Sequence, residues 1–139
     1  MAPEVHSFIQ RHRVARMATV DSVASPHLVP ICYAYDGQNI YSVLDRKPKQ
    51  VSPKNLKRVR NLLSNPRVGV VVDDYSEEWS RLAYVIAQGS AQLLEDGEEH
   101  KRAVRLLKEK YPQYVEMGIE ESPVIKITIE KLISWGNLT

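Results

Sequence analysis

The stretch Val68-Gly69-Val70-Val71-Val72-Asp73-Asp74-Tyr75-Ser76-Glu77-Glu78-Trp79-Ser80-Arg81-Leu82-Ala83-Tyr84-Val85-Ile86 decides the fold. Val68 to Val72 is an apolar, β-branched run, which is the composition of a buried strand. Leu82 to Glu95 reads as a second, longer strand, and Gly89 inside it marks a bulge or bend. Between them lies only the polar loop Asp74 to Ser80, which carries one large aromatic, Trp79.

Outward from this pair the same grammar repeats. Upstream, Pro3 to Gln10 reads as a short helix with Val5, Phe8 and Ile9 on one face. Arg13 to Val20 is a strand. After the turn-rich gap Asp21 to Pro26 comes another, His27 to Tyr35. Pro30 cannot donate to a ladder, so this strand needs an edge or a bulge there. Asp36-Gly37 with Asn39 signals a hairpin, and Ile40 to Leu44 returns. Asp45 to Val51 is a polar loop. Ser52-Pro53 then resembles an N-cap with proline at the first helical position. Leu56, Val59, Leu62 and Leu63 give that helix its apolar stripe, and Asn65-Pro66 ends it. Downstream, Asp96 to Tyr111 is a charged amphipathic helix with Val104, Leu107 and Tyr111 inward. In the last strand, Pro123 to Ile133, Ile125, Ile127 and Ile129 alternate with polar residues. Six strands without a βαβ repeat argue against a doubly wound sheet and for a small antiparallel barrel. Residues 1–139 form one domain, mainly β in an α+β arrangement with flanking helices.

Composition narrows the function. With 43% hydrophobic and 26% charged residues, the 139-residue chain is an ordinary globular domain. Its net charge of +2 is too small to argue for a nucleic-acid protein. Cys32, the only cysteine, sits in an apolar strand and reads as a small buried hydrophobe, which suits a reducing cytoplasm. Met1 to His12 lacks the apolar core of a signal peptide, and no apolar run approaches the ~20 residues that span a bilayer. His6, His12, His27 and His100 have no ligand spacing among themselves or with carboxylates, so no metal site is expected. There is no nucleophile elbow, no Gly-x-Gly-x-x-Gly turn and no Walker loop. No catalytic residue can be assigned.

Charge distribution says more than the total. Arg46, Lys47, Lys49, Lys54, Lys57, Arg58 and Arg60 place seven cations in fifteen residues with no acid among them. Lys54 and Arg58 share one face of the expected helix, near its start, where positive charge opposes the macrodipole. An anion bound there would relieve the repulsion and meet free backbone N–H groups. A solvated charged face is the competing reading, and the residues alone leave the two even. Trp79 either caps the barrel end, packs in a dimer interface, or lies beside a planar ring system. Arg81 either pairs with the acids before it or reaches a ligand phosphate.

These parts in this order resemble the pyridoxamine-5′-phosphate-oxidase-like, FMN-binding split β-barrels. The resemblance covers the strand Arg13 to Val20, the strand Pro26 to Tyr35, the Asp36-Gly37 turn, the basic stretch into a helix, Asn65-Pro66-Arg67-Val68, and the segment after Trp79-Ser80-Arg81-Leu82. The run from Lys47-Pro48-Lys49 through Asp73-Asp74-Tyr75 to Trp79-Ser80-Arg81-Leu82 is most similar to a subgroup of probable coenzyme F-420 (deazaflavin) dependent enzymes. The resemblance implies a six-stranded split barrel, a homodimer with cofactor sites between subunits, and a cofactor phosphate held by Lys47, Lys49, Lys54 and Arg58. It implies an oxidoreductase moving a hydride to or from a small organic substrate, with F-420 or FMN as cofactor. A non-enzymatic flavin- or haem-binding barrel is the alternative. The chain ends at Trp135-Gly136-Asn137-Leu138-Thr139, without the arginine-histidine substrate signature of vitamin B6 synthesis. The surplus of apolar surface on Val68 to Val72 and Leu82 to Ile86 independently calls for a homodimer interface of at least ~2,000 Å².

Overall fold

Every strand pair among the described residues is antiparallel. The computed structural model describes residues 2–44 and 55–139. Among them lie seven strands: β1 (Ala15–Val20), β2 (Pro26–Ile31), β3 (Ala34–Tyr35), β4 (Asn39–Val43), β5 (Arg67–Asp74), β6 (Ala83–Leu94) and β7 (Val124–Gly136). They form one sheet in the order β2-β1-β5-β6-β7-β4-β3. The central pair β5–β6 is the one expected from the opening stretch, in register from Arg67↔Ser90 to Asp74↔Ala83.

The seventh strand arises because the expected strand His27 to Tyr35 breaks in two. Its first part pairs with β1 at one edge of the sheet, and its second pairs with β4 at the other. Only Cys32 and Tyr33 separate β2 from β3. Two intervening residues span at most about 11 Å between Ile31 and Ala34. The sheet's two edges are therefore tethered together, and the sheet must curl into an open barrel, split between β2 and β3. Pro30 sits on an edge strand, where its missing N–H costs no ladder bond. Cys32 is half-buried in the crossover rather than inside a strand.

Inward-facing residues of the curled sheet make the main core: Met17, Tyr33, Ile40, Val70, Val85, Ile125 and Ile127 are almost wholly buried. Helix α1 (Pro3–Arg11) closes it with Val5, Phe8 and Ile9. Helix α2 (Lys57–Ser64) adds Val59 and Leu62, while Leu63, expected on its apolar stripe, points outward. Helix α3 (Glu98–Lys110) covers β3 and β4 through a second cluster containing Ala103, Val104, Leu107 and Tyr111. Acids in its first turn and lysines in its last suit the helix dipole. A short helix, α4 (Gln113–Met117), was not expected from the sequence, because five residues carry no readable period. Among the described residues, no helix is long and apolar enough to cross a membrane.

Gly89 has a steric duty at the β6–β7 register shift. Gln88 pairs with Lys131 and Gly89 with Ile129, so Glu130 is the extra residue of the bulge. A Cβ on Gly89 would lie 1.9 Å from the Thr128 carbonyl oxygen. Arg67 Nη1 holds the bulged Glu130 carboxylate at 2.6 Å. Gly89→Ala must push the two longest strands apart, at a cost of about 3 kcal/mol or more. We expect a loss of roughly 10 °C in Tm by scanning calorimetry. An unchanged Tm would show that β7 gives way freely.

The crossover also holds a buried amine. Lys110 Nζ has no hydrogen-bond partner and lies 3.9 Å over the Tyr33 ring. Burial, with the Arg13 charge second, lowers its pKa from 10.5 to about 8, although the ring face offsets part of the cost of the charge. The sign follows: between pH 8 and 10.5 the unfolded chain binds more protons, so this group's contribution to stability rises with pH across that window. The tyrosines with raised pKa values act oppositely above pH 10. Relative to Lys110→Met, the wild-type protein should therefore gain stability from pH 8 to 10 in urea titrations. A constant or reversed difference would contradict this.

Candidate functional site

Helix α2 starts with cations and without a cap. Leu56 precedes it in an extended conformation, no side chain among the described residues caps it, and its first turn has no acid. The expected helix start at Ser52-Pro53 and the loop Asp45 to Val51 lie outside the described residues, as do Lys47, Lys49 and Lys54. The described helix begins four residues later than Pro53, at Lys57. Its first turn therefore carries Lys57 and Arg58, with Arg60 following. Lys57 Nζ pairs with Asp21 at 3.4 Å. Arg58 is half-buried and engaged within the chain.

Two anchors fix this helix. Asn61, fully buried, donates from Nδ2 to Thr19 Oγ1 on β1 at 3.0 Å. Unmet, either group would cost free energy in the core, so the pair sets the position of α2 against the sheet. Asp21 organises the β1–β2 turn by accepting from the backbone N–H of Ser25 and Val23 at 2.9 and 3.0 Å. The Ser25 amide above all, then the Val23 amide and Lys57, hold its carboxyl below the usual range. This one acid answers only Lys57.

Trp79 and Arg81 stand elsewhere. They form a 3-10 turn, Trp79–Arg81, between β5 and β6. Trp79 is 71% exposed, and Arg81 faces Glu78 at 3.9 Å in an open ion pair. The turn follows the Asp74 end of β5, whereas Asp21 and the start of α2 lie toward the Arg67 end, since β1 runs antiparallel to β5. Eight residues of strand separate the two ends, roughly 23 Å. One chain does not bring Trp79 and Arg81 beside Arg58.

Between those ends runs an apolar outer face. Val71 pairs with Ile86 and Ile86 with Ile133, three outward aliphatic residues in one row. Next to them Tyr84 pairs with Trp135, their rings stacked at 5.6 Å. Trp135 is 52% exposed. The signal for this face was present in the surplus of Val68 to Val72 and Leu82 to Ile86. Trp135 was missed because the expected last strand stops at Ile133, three residues short. The four histidines are dispersed, and among the described residues no group of three metal-ligating side chains occurs.

The architecture matches known proteins throughout its length. The chain resembles the conserved hypothetical protein Rv2991 of Mycobacterium tuberculosis, with a TM-score of 0.79 and 21% identity over 98% of this chain and 85% of that one. It also resembles the haem storage protein HutZ of Vibrio cholerae, with a TM-score of 0.75 and 16% identity over 94% and 92%. A FAD-binding protein of Mesorhizobium loti gives a TM-score of 0.74 and 22% identity over 96% and 91%. No match was found among curated protein sequences. The pyridoxamine 5′-phosphate oxidase family model matches residues 1–136, and the chain belongs to that family.

Proposed function

We propose that this protein is a flavin- or deazaflavin-dependent oxidoreductase that works as a two-fold homodimer in the cytoplasm, with coenzyme F-420 as the preferred cofactor and FMN as the alternative. The observation that carries this reading is the uncapped, acid-free start of α2, set at the end of a basic segment. Free N–H groups and cations together fit a phosphate. In this reading Lys47, Lys49, Lys54 and Arg58 hold that phosphate.

The distance between α2 and the Trp79 turn supports a site built from two chains. The row Val71, Ile86 and Ile133, with Tyr84 and Trp135, supplies an apolar face of the kind subunit interfaces use. A two-fold axis through that face sets the α2 start of one copy toward the Trp79 turn of the other. Trp79 then packs beside the ring system, and Arg81 adds a cation at its rim. A bound flavin or deazaflavin carries the hydride itself, so the chain needs to bind, orient and shield rather than supply an acid-base constellation. The FAD-binding neighbour supports the class of cofactor.

Haem binding without catalysis is the second reading, and the likeness to the haem storage protein HutZ favours it. Colour separates the two: a Soret band in the purified protein points to haem, and a flavin spectrum or uptake of added deazaflavin points to the first reading.

Removal of one cation should weaken cofactor binding about tenfold or more, since a charge-assisted hydrogen bond is worth about 1.5–3 kcal/mol and ~1.4 kcal/mol is one decade. Calorimetry of Arg58→Ala, Lys49→Ala and Lys54→Ala with FMN and deazaflavin measures this, with Arg102→Ala on α3 as the silent control. Riboflavin, which lacks the phosphate, should bind at least about tenfold more weakly than FMN. Wild-type affinity in all three variants, or equal binding of riboflavin and FMN, would sink the phosphate role.

A further inference from the structure

The barrel crossover holds an amine with no counter-charge. Among the described residues, Lys110 Nζ is the one buried side-chain nitrogen or oxygen without a hydrogen-bond partner. No carboxylate among them forms an ion pair with it. A buried polar atom left alone calls for an explanation.

Its surroundings are aromatic and cationic. Nζ lies 3.9 Å from the Tyr33 ring centroid and 5.5 Å from that of Tyr111. The Arg13 guanidinium carbon lies 4.7 Å from the same Tyr111 centroid, and Arg13 donates to the Lys110 carbonyl oxygen at 2.6 Å. The Cys32 thiol is a further titratable group beside the amine. The ring faces recover part of the cost of a buried ammonium, but the repulsion between Lys110 and Arg13 stays.

There is room beside the amine. Lys110 lines a pocket of about 250 Å³ between α1, β3 and α3, together with Gln10, Ala34, Tyr35, Leu106 and Glu109. Glu109 is exposed. The pocket suits a group of a few atoms. An amine shielded from water and set beside a second cation is an activated nucleophile. Burial, with the Arg13 charge second, holds its pKa at about 8. At pH 7 about a tenth of it is then unprotonated, against about one part in three thousand for an ordinary lysine.

We propose that Lys110 Nζ takes up dissolved carbon dioxide as a reversible carbamate. The unprotonated amine attacks the carbon. A C–N bond forms, one C=O electron pair moves onto oxygen, and Nζ releases a proton to solvent: R–NH2 + CO2 → R–NH–COO⁻ + H⁺. The charge at Lys110 is thereby reversed, so repulsion from Arg13 becomes attraction. Gln10 offers an amide donor on the pocket wall. Carbon dioxide suits the site because it is small and uncharged, so neither the Glu109 carboxylate nor desolvation bars its way, as both would bar a hydrated anion. The site is independent of the cofactor reading, because no residue is shared with it.

The test exposes the full chain, labelled with 15N-lysine, to 13C-bicarbonate at pH 8, where carbon dioxide is present at equilibrium. A carbamate carbon coupled to a lysine 15N should appear in the carbon spectrum, and Lys110→Met should lack it. The N-terminal amine, which also forms carbamates, gives no such coupling. Trapping with triethyloxonium and peptide mass mapping should place the ethyl carbamate on Lys110, with at least about tenfold less on the exposed Lys101. Arg13→Met should lower the trapped fraction at Lys110 about threefold or more. Both variants are compared as folded protein, checked by near-UV circular dichroism. Absence of the coupled carbon, the same signal in Lys110→Met, or equal trapping on Lys101 would overturn the site. An unchanged trapped fraction in Arg13→Met would overturn the part played by Arg13.

Discussion

One phenol holds the barrel closed. Tyr111, in the loop after α3, meets the crossover at which the chain leaves one sheet edge and enters the other. Its hydroxyl donates to the Arg13 carbonyl at 2.7 Å, with the Tyr33 carbonyl at 3.1 Å, and accepts from the Tyr33 N–H at 3.0 Å. Tyr33 is itself fully buried and donates its own hydroxyl to the carbonyl of Ile9 on α1. A crossover through a core would otherwise leave backbone groups unmet, each at a cost of about 1–3 kcal/mol. Two tyrosines thus tie together the helix that closes the barrel, the strand that begins the sheet and the two strands that end it. Lys110 caps the same knot from above the Tyr33 ring.

Everything at the candidate site follows from that closure. Because the edges are tethered, the sheet curls, and β5–β6–β7 turn one face inward and the other to the surface. The inward face is ordinary core. The outward face is apolar as well, which no single chain requires. The curl also sets α2 over one end of the sheet through Asn61 and Thr19, and leaves the Trp79 turn at the other end. The features that suggest a cofactor are thereby divided between two ends of one chain. The proposed two-chain site would join them, and would also give the outer face a reason to be apolar.

Much of this was legible from local signals. The β5–β6 pair, the bulge at Gly89, the edge position of Pro30 and the inward residues of α1 and α3 each rest on nearby residues, and each is found. The family resemblance rested on the order of such parts. The break at Cys32-Tyr33 was not legible, because the run His27 to Tyr35 reads as continuous strand. What breaks it is a tertiary demand, the phenol of Tyr111 nearly eighty residues away. Leu63 was misplaced too: α2 presents Val59 and Leu62 to the core and leaves Leu63 exposed. That Arg58 and Trp79 stand toward opposite ends of the sheet was invisible in sequence.

A mixed dimer tests the two-chain site most directly. Arg58→Ala and Trp79→Ala chains, carried on different tags, can be co-expressed and the mixed species isolated by sequential affinity steps. If Arg58 of one chain serves the same site as Trp79 of the other, the mixed dimer holds one doubly damaged site and one intact site. Calorimetry should then find half the wild-type stoichiometry at wild-type affinity, while each homodimer binds weakly. Weak binding at both sites of the mixed dimer, or a monomeric mass that leaves no mixed species to isolate, would contradict the account.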